Sequence, residues 1–283
     1  MRSFKPLLLA SVFATSFCFA QASSATVTLT PDEVHVGDAY QLSGLQGTTT
    51  LDISAWIRDN LNLLQATYQA VPEAVVTTQT VPRVSGTGVK TTSVVVESPV
   101  SSLSAAFEGG ALTARSVESL GGVLISTSDT GASNGTGWVS ISDLQVDLVT
   151  QTIRADIAGG NGLAPLNDHA LWRYERASGP FTFSPPAGST GQGAVTLSSA
   201  ITLTGLRWVD LADVPNVFAV ALNLNAVGKS MLEGVNWPSR TADGFGSITL
   251  SMSVSAVPEP GAWALMGVGL IALAVLGRRR AAS

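Results

Sequence analysis

The sequence predicts an all-β body, a β-sandwich with one packed helix, followed by a C-terminal helix of membrane-spanning type. Three observations predict it. Runs with period-two alternation of apolar and polar residues recur along the middle of the chain. Charged residues make up only 12% of a chain that is 45% hydrophobic, and the polar remainder is largely Ser, Thr, Gly and Asn, a mix that suits strands and turns. One stretch alone has clear helical spacing. The 283 residues are enough for one large β domain or two modest ones.

The chain opens with Arg2 and Lys5, an apolar run from Leu7 to Ala14 that continues through Phe17, Cys18 and Phe19, and then Ala20-Gln21-Ala22-Ser23. A positive start, a short apolar helix and small residues at an A-x-A exit describe a secretory signal peptide over residues 1–22. Positive charge stays on the cytoplasmic side while the apolar segment enters the translocon. Bulky Phe17 before Cys18 argues against a lipoprotein. Cys18 is the single cysteine, so the body after cleavage has no disulfide, thiolate metal site or cysteine nucleophile.

Residues 23–257 form the expected extracellular β-rich domain. Residues 26–30, 201–203, 218–224 and 248–254 alternate and read as strands with one buried face. Residues 139–146 (VSISDLQV) and 201–208 (ITLTGLRW) echo each other. Alternation slips at the fifth residue of each, Asp143 or Gly205, which predicts a β-bulge. Each is followed by Asp-Leu, a turn and a second alternating run, so the expectation is two bulged hairpins. Ile53, Ile57, Leu61, Leu64 and Tyr68 recur at spacings of four, four, three and four, predicting a helix capped by Ser54 and closed by Pro72. A short helical turn is expected over residues 101–107. Pro72, Pro82 and Pro99 make residues 71–100 read as edge strands and loops. Residues 127–137 and 178–193 read as Gly-, Ser- and Pro-rich loops.

The search for chemistry finds no catalytic constellation, and none of the candidates implies a metal or cofactor. Glu33 and His35 share a strand face but lack a third ligand. His169 follows Asn167-Asp168 in an expected loop. Residues 131–135 match G-x-S-x-G, but strands rather than a strand and a helix flank them, so Ser133 reads as a turn residue. Residues 159–162 (GGNG) begin like a calcium-binding β-roll repeat, yet Leu163-Ala164 stands where aspartate is needed. Asp129 with Asn134, and Asp210 with Asp213, have calcium-type oxygens without the spacing of a known loop. The tryptophans are the remaining hint, since exposed indole faces stack on sugar rings. Trp172 and Tyr174, within residues 172–176 (WRYER), are the candidate glycan contacts. The two ends hold five of the 15 basic residues and one of the 20 acidic ones, so the body carries about −9. A body this acidic does not hold nucleic acid by counterion release.

The chain closes with Pro258-Glu259-Pro260, a charge-free stretch from Gly261 to Gly277, and Arg278-Arg279-Arg280. As a helix, those 17 residues reach about 25 Å at ~1.5 Å each, a short membrane span. The arginines act as a membrane stop that keeps the C-terminus in the cytoplasm and leaves the body outside. This order of elements resembles the PEP-CTERM sorting tail of Gram-negative bacterial proteins. The resemblance is confined to residues 258–283 and implies a substrate of exosortase, a membrane-embedded cysteine transpeptidase. It makes Pro258, Glu259 and Pro260 the recognition element, and the helix and basic end the part removed. It also implies an association with exopolysaccharide and biofilm. The expectation is therefore an exported, non-catalytic surface or matrix protein. Its partners are the secretion translocon and exosortase during export, exopolysaccharide afterwards, and the membrane through the tail before processing. The alternatives are an extracellular enzyme acting on glycans and a small-ligand-binding module, in which His35, His169, a methionine or a tyrosine would supply an axial ligand.

Overall fold

The computed structural model describes residues 25–36, 40–84, 88–108, 111–183, 194–239 and 241–258. The leader, Glu259, Pro260, the Gly261–Gly277 helix, Arg278, Arg279 and Arg280 lie outside the described residues, as does most of the 178–193 loop. Among the described residues no helix is long and apolar enough to cross a membrane.

The all-β class is observed. In chain order the elements begin with β1 (Ala25–Leu29), β2 (Val34–Val36), β3 (Tyr40–Ile53) and α1 (Ala55–Leu63). Next come β4 (Thr67–Val71), β5 (Val75–Pro82), β6 (Val89–Glu108), β7 (Ala111–Ser119) and β8 (Gly122–Thr127). They continue with β9 (Gly137–Asp147), β10 (Thr152–Gly159), β11 (Leu166–Arg173), β12 (Arg176–Ser178), β13 (Thr182–Phe183) and β14 (Val195–Thr204). After β15 (Arg207–Trp208) a helical segment intervenes: a π-helical turn Val214–Phe218, α2 (Ala219–Ala221), α3 (Ala226–Glu233) and a 3₁₀ turn Gly234–Asn236. The last strand is β16 (Gly246–Pro258).

These strands build two antiparallel sheets that share β6. The first runs β5–β6–β3–β16–β14–β12, with β2 also on β3. The second runs β1–β6–β7–β9–β10–β11–β15, with β8 joining β4 to β9 and β13 on β7. Up to Pro99, β6 pairs with β3 and β5. From Val100 on it pairs with β7 and β1. The expectation of edge strands and loops over residues 71–100 holds for β5, which pairs with β6 alone, and is corrected for residues 89–100, because β6 is an interior strand of both sheets. Pro99 is tolerated because it sits at the change of sheet, where a missing N–H breaks no continuous ladder. Its carbonyl still accepts from Leu120 N at 3.0 Å. The helical turn expected over residues 101–107 is also corrected. Leu103 and Ala105 both point into the core with strand period.

Inward side chains of both sheets form one buried apolar cluster, including Leu51, Val96, Ile201, Leu203, Ile248 and Leu250 from the first and Leu103, Val117, Ile125, Ile141, Ile153 and Ile157 from the second. Outward positions of the first sheet are mostly hydroxylated. Thr202, Thr249 and Thr50 form one row across β14, β16 and β3, and Ala200, Ser251 and Thr48 form the next.

Helix α1 begins as expected, with Ser54 Oγ accepting from Ile57 N, and it buries Ile57, Leu61 and Leu64. It stops eight residues before Pro72. Gln65 adopts φ 51°, and Gln65 N and Ala66 N donate to Asn62 O and Leu61 O, a Schellman closure with Gln in the place usually held by Gly. Tyr68 therefore belongs to β4. Asn62 docks the helix on β6, exchanging 2.8 Å bonds with Thr91 O and Thr91 N.

The bulge expected at Asp143 is present. It has φ 51°, and the β9–β10 register shifts opposite it. The second expected hairpin is not. Gly205 (φ 72°) lies where the chain leaves β14 in the first sheet for β15 in the second, and residues 218–224 form the end of a helical segment, a turn and a single bridge from Leu224 to Ser133 rather than a strand. Phe218, Ala219, Ala221, Leu222 and Leu224 are all buried while Val220 is exposed, the arc of a helix rather than alternation.

Candidate functional site

The two candidate glycan contacts, Trp172 and Tyr174, are core residues, which corrects the reading of them as faces open to sugar. Trp172 is fully buried, its ring centroid 4.5 Å from Phe245 and 6.2 Å from Trp208. Trp208 in turn stacks on Phe218 at 4.6 Å and donates from Nε1 to Leu232 O at 3.1 Å. Tyr174 is also buried, and its hydroxyl donates to Leu148 O at 3.2 Å. Burial, followed by the nearby Asp147 carboxylate, pushes its phenol pKa up. The physical reason lies on β11. The β10–β11 register shifts between Ile153 and Arg154, so Leu171 is passed over and both Leu171 and Trp172 turn inward.

The charged cluster nearby is structural. Arg207 is 2% exposed. Its guanidinium donates to Glu175 Oε1 and Oε2 at 3.0 and 3.3 Å, to Thr241 O and Ala242 O at 3.0 and 3.3 Å, and to Val235 O. It ties β15 to the segment after α3. The hydrogen bond from Arg207 holds the Glu175 carboxyl below the usual range, against a smaller pull from burial. His169 lies on β11 rather than in a loop. Its Nε2 stands 3.0 Å from Asp213 Oδ1, a close contact outside hydrogen-bond angles, and Asp213 Oδ2 is buried without a donor.

His35 lies on β2, and the G-x-S-x-G stretch and Asp210 resolve into turns. Ser133 Oγ donates to Ser128 O and accepts from Thr130 N, so it is spent inside its own loop. Asp210 Oδ1 accepts from Ala212 N at 2.8 Å. Among the described residues no group of three His, Cys, Asp or Glu side chains could hold a metal ion.

Sequence reasoning missed Trp138. It is 41% exposed at the start of β9, on the face opposite buried Val139 and Ile141. Its backbone pairs with Ser126 of β8, and its carbonyl accepts from Gly160 N at 2.9 Å. A recess of about 420 Å³ opens beside it, lined by Ser126, Thr127, Thr136, Gly137, Gly160 and Asn161. The signal was available. Trp138 stands in phase with Ser140 and Ser142, the polar side of the alternating run.

The last strand ends at Pro258, which pairs with Tyr40 of β3, so the body gives way directly to the tail. The PEP-CTERM protein-sorting motif matches residues 256–280. The chain thus carries an exosortase-targeted tail, and that tail signals export to the cell surface. No curated protein and no solved structure matches the chain.

Proposed function

We propose that this chain is a non-catalytic surface or matrix protein that associates with extracellular polysaccharide once exosortase has processed it. In this reading residues 1–22 are removed on export and residues 23–257 form the working body. Residues 258–283 anchor it briefly in the inner membrane until Pro258, Glu259 and Pro260 are recognised.

The sorting motif at 256–280 carries the reading. Two features of the body support it. The outward face of β14, β16 and β3 presents rows of hydroxyls, as at Thr202, Thr249 and Thr50, and such a surface suits a hydrated, neutral polymer. Two of the acidic residues within the stretches singled out in the sequence are engaged within the fold, Glu175 by Arg207 and Asp210 by its own turn.

Mass spectrometry of the protein recovered from its host tests the processing step. The expected form begins near Ser23 and lacks the triple arginine. Sedimentation of that form with the host's extracellular polysaccharide tests the association. A protein that keeps Met1 and Arg280, or that stays in the supernatant at every polysaccharide concentration, overturns the corresponding half of the proposal.

A further inference from the structure

We infer that the recess beside Trp138 is a binding site for a neutral pyranose ring. The inference deepens the polysaccharide reading and rests on it. A half-exposed indole is a large apolar face left in water, and such faces usually bury themselves in cores or in contacts. Trp172 and Trp208 do so in this fold; Trp138 does not. Its openness is built in. The turn formed by residues 159–162 passes the indole edge, and a Cβ at Gly160 would stand 3.0 Å from Trp138 Cδ1 and Nε1. Any larger residue there would push on the ring. The turn itself is fixed by Asn161 at φ 56° and Gly162 at φ 83°.

The rim supplies hydroxyl-matching groups in fixed positions. Asn161 Nδ2 donates to Ala221 O at 3.0 Å, which orients the amide and leaves Oδ1 as an acceptor. Thr127 is buried beneath the rim, its Oγ1 shared between Leu222 O at 3.1 Å and Gly137 O at 3.3 Å, and so belongs to the floor of the recess. Ser126 and Thr136 add further polar groups. Among the described residues no charged side chain lines the recess. With a body near −9, this disfavours uronates and phosphates. A concave site of about 420 Å³ with one aromatic wall and a few convergent polar groups fits one or two uncharged sugar rings.

The test titrates the full chain, held in a detergent without a sugar headgroup, with methyl glucoside, galactoside and mannoside, N-acetylglucosamine and glucuronate, following tryptophan fluorescence. At least one neutral sugar should saturate the signal while glucuronate does not. Trp138→Ala should weaken binding by about tenfold or more. Gly160→Leu, which crowds the ring without removing it, should do the same, and Trp237→Ala should leave binding unchanged. Matched thermal midpoints identify variants that fold normally. Saturation by none of the neutral sugars, or unchanged binding in both Trp138→Ala and Gly160→Leu, overturns the site. Polysaccharide sedimentation is scored separately. If Trp138→Ala still sediments like the parent, the site fails and the wider reading stands. If the parent fails to sediment yet binds a glycoside at Trp138, the wider reading fails.

Discussion

In residues 139–146 and again in residues 201–208, four alternating residues lead to one with left-handed backbone, Asp143 at φ 51° and Gly205 at φ 72°. A buried leucine follows, Leu144 or Leu206. Next comes a side chain that donates to a glutamate: Gln145 Nε2 to Glu118 Oε1 at 2.8 Å, and Arg207 Nε to Glu175 Oε1 at 3.0 Å. Then a second buried residue, Val146 or Trp208, precedes an aspartate-capped turn. The parallel runs through eight positions, with Val209 inserted before the second aspartate, yet the first copy stays in one sheet as a hairpin and the second changes sheets and enters a helix. The difference lies in the partners. Asp143 bonds back to the start of its neighbour β8, giving N–H to Gly121 O and accepting Gly121 N–H on Oδ1. Gly205 has no side chain to make such a tie, and the chain beyond it is captured by the Arg207 cluster.

If that capture sets the second path, removing Arg207 should have the largest effect. Arg207→Met leaves three carbonyls without this donor and a half-exposed carboxylate without its partner, and the stranded carbonyls make the expected loss about 3 kcal/mol or more in urea unfolding. Gln145→Ala, the same position in the first copy, should cost about 1 kcal/mol. Equal losses would break the comparison.

Backbone conformation comes next. A Cβ at Gly205 would lie 2.8 Å from Glu175 Oε2, at a φ that disfavours any side chain. Gly205→Ala should cost about 1–3 kcal/mol. Asp143→Gly keeps the φ and the backbone bond to Gly121 O and loses only the bond from Gly121 N to Oδ1, so about 1 kcal/mol is expected. Because alanine at 205 displaces Glu175, its effect should shrink in an Arg207→Met background, and a double-mutant cycle measures this.

How far each path was legible follows from the same residues. The left-handed break was readable at both sites, because Asp or Gly interrupting an alternating run marks a bulge. The fate of residues 218–224 was not. Phe-Ala-Val-Ala-Leu-Asn-Leu alternates on paper, but burial of adjacent Phe218 and Ala219, and of Ala221 and Leu222, needs a helical arc, and the tertiary packing that favours it, such as Trp208 on Phe218, is not written in the local pattern. Trp172 was misread for a related reason. The slip at Leu171 inverts the face of the strand, and nothing in the local pattern announces it. Trp138 was readable, as an aromatic on the polar phase of a run whose apolar phase was already assigned. The tail was the most legible part, since charge, apolar length and the Pro-Glu-Pro triplet act through sequence alone.

Acidity gives a third separation. The Arg207 hydrogen bond depresses the folded pKa of Glu175. The stability it contributes is therefore complete above the unfolded carboxylate pKa and is lost as pH falls through the depressed folded value. The urea midpoint should fall on acidification from neutral pH, and Glu175→Gln should flatten part of that fall. The side chain of Glu175 is 40% exposed, so solvent screens the pair and the effect should be modest. An unchanged acid slope in Glu175→Gln would detach the carboxylate from the cluster.

The smallest expected contrast lies in the two aspartates that close the copies. Asp147 Oδ1 accepts from Val149 N and Thr150 N at 2.8 and 2.9 Å, whereas Asp210 Oδ1 accepts from Ala212 N alone. Partial burial of Asp147 favours its neutral form, but the hydrogen bonds from Thr150 and Val149, helped by the Arg154 charge, outweigh it and hold the pKa down. Asp147→Ala should cost about 1 kcal/mol and Asp210→Ala about half as much, both read from urea midpoints at neutral pH. At a pH low enough to protonate Asp147 in the folded state as well, the gap should narrow, because a neutral carboxyl accepts those N–H groups more weakly. If Asp210→Ala proved the costlier, the turn before the π-helix, rather than the Arg207 cluster, would be what commits the second copy to its separate path.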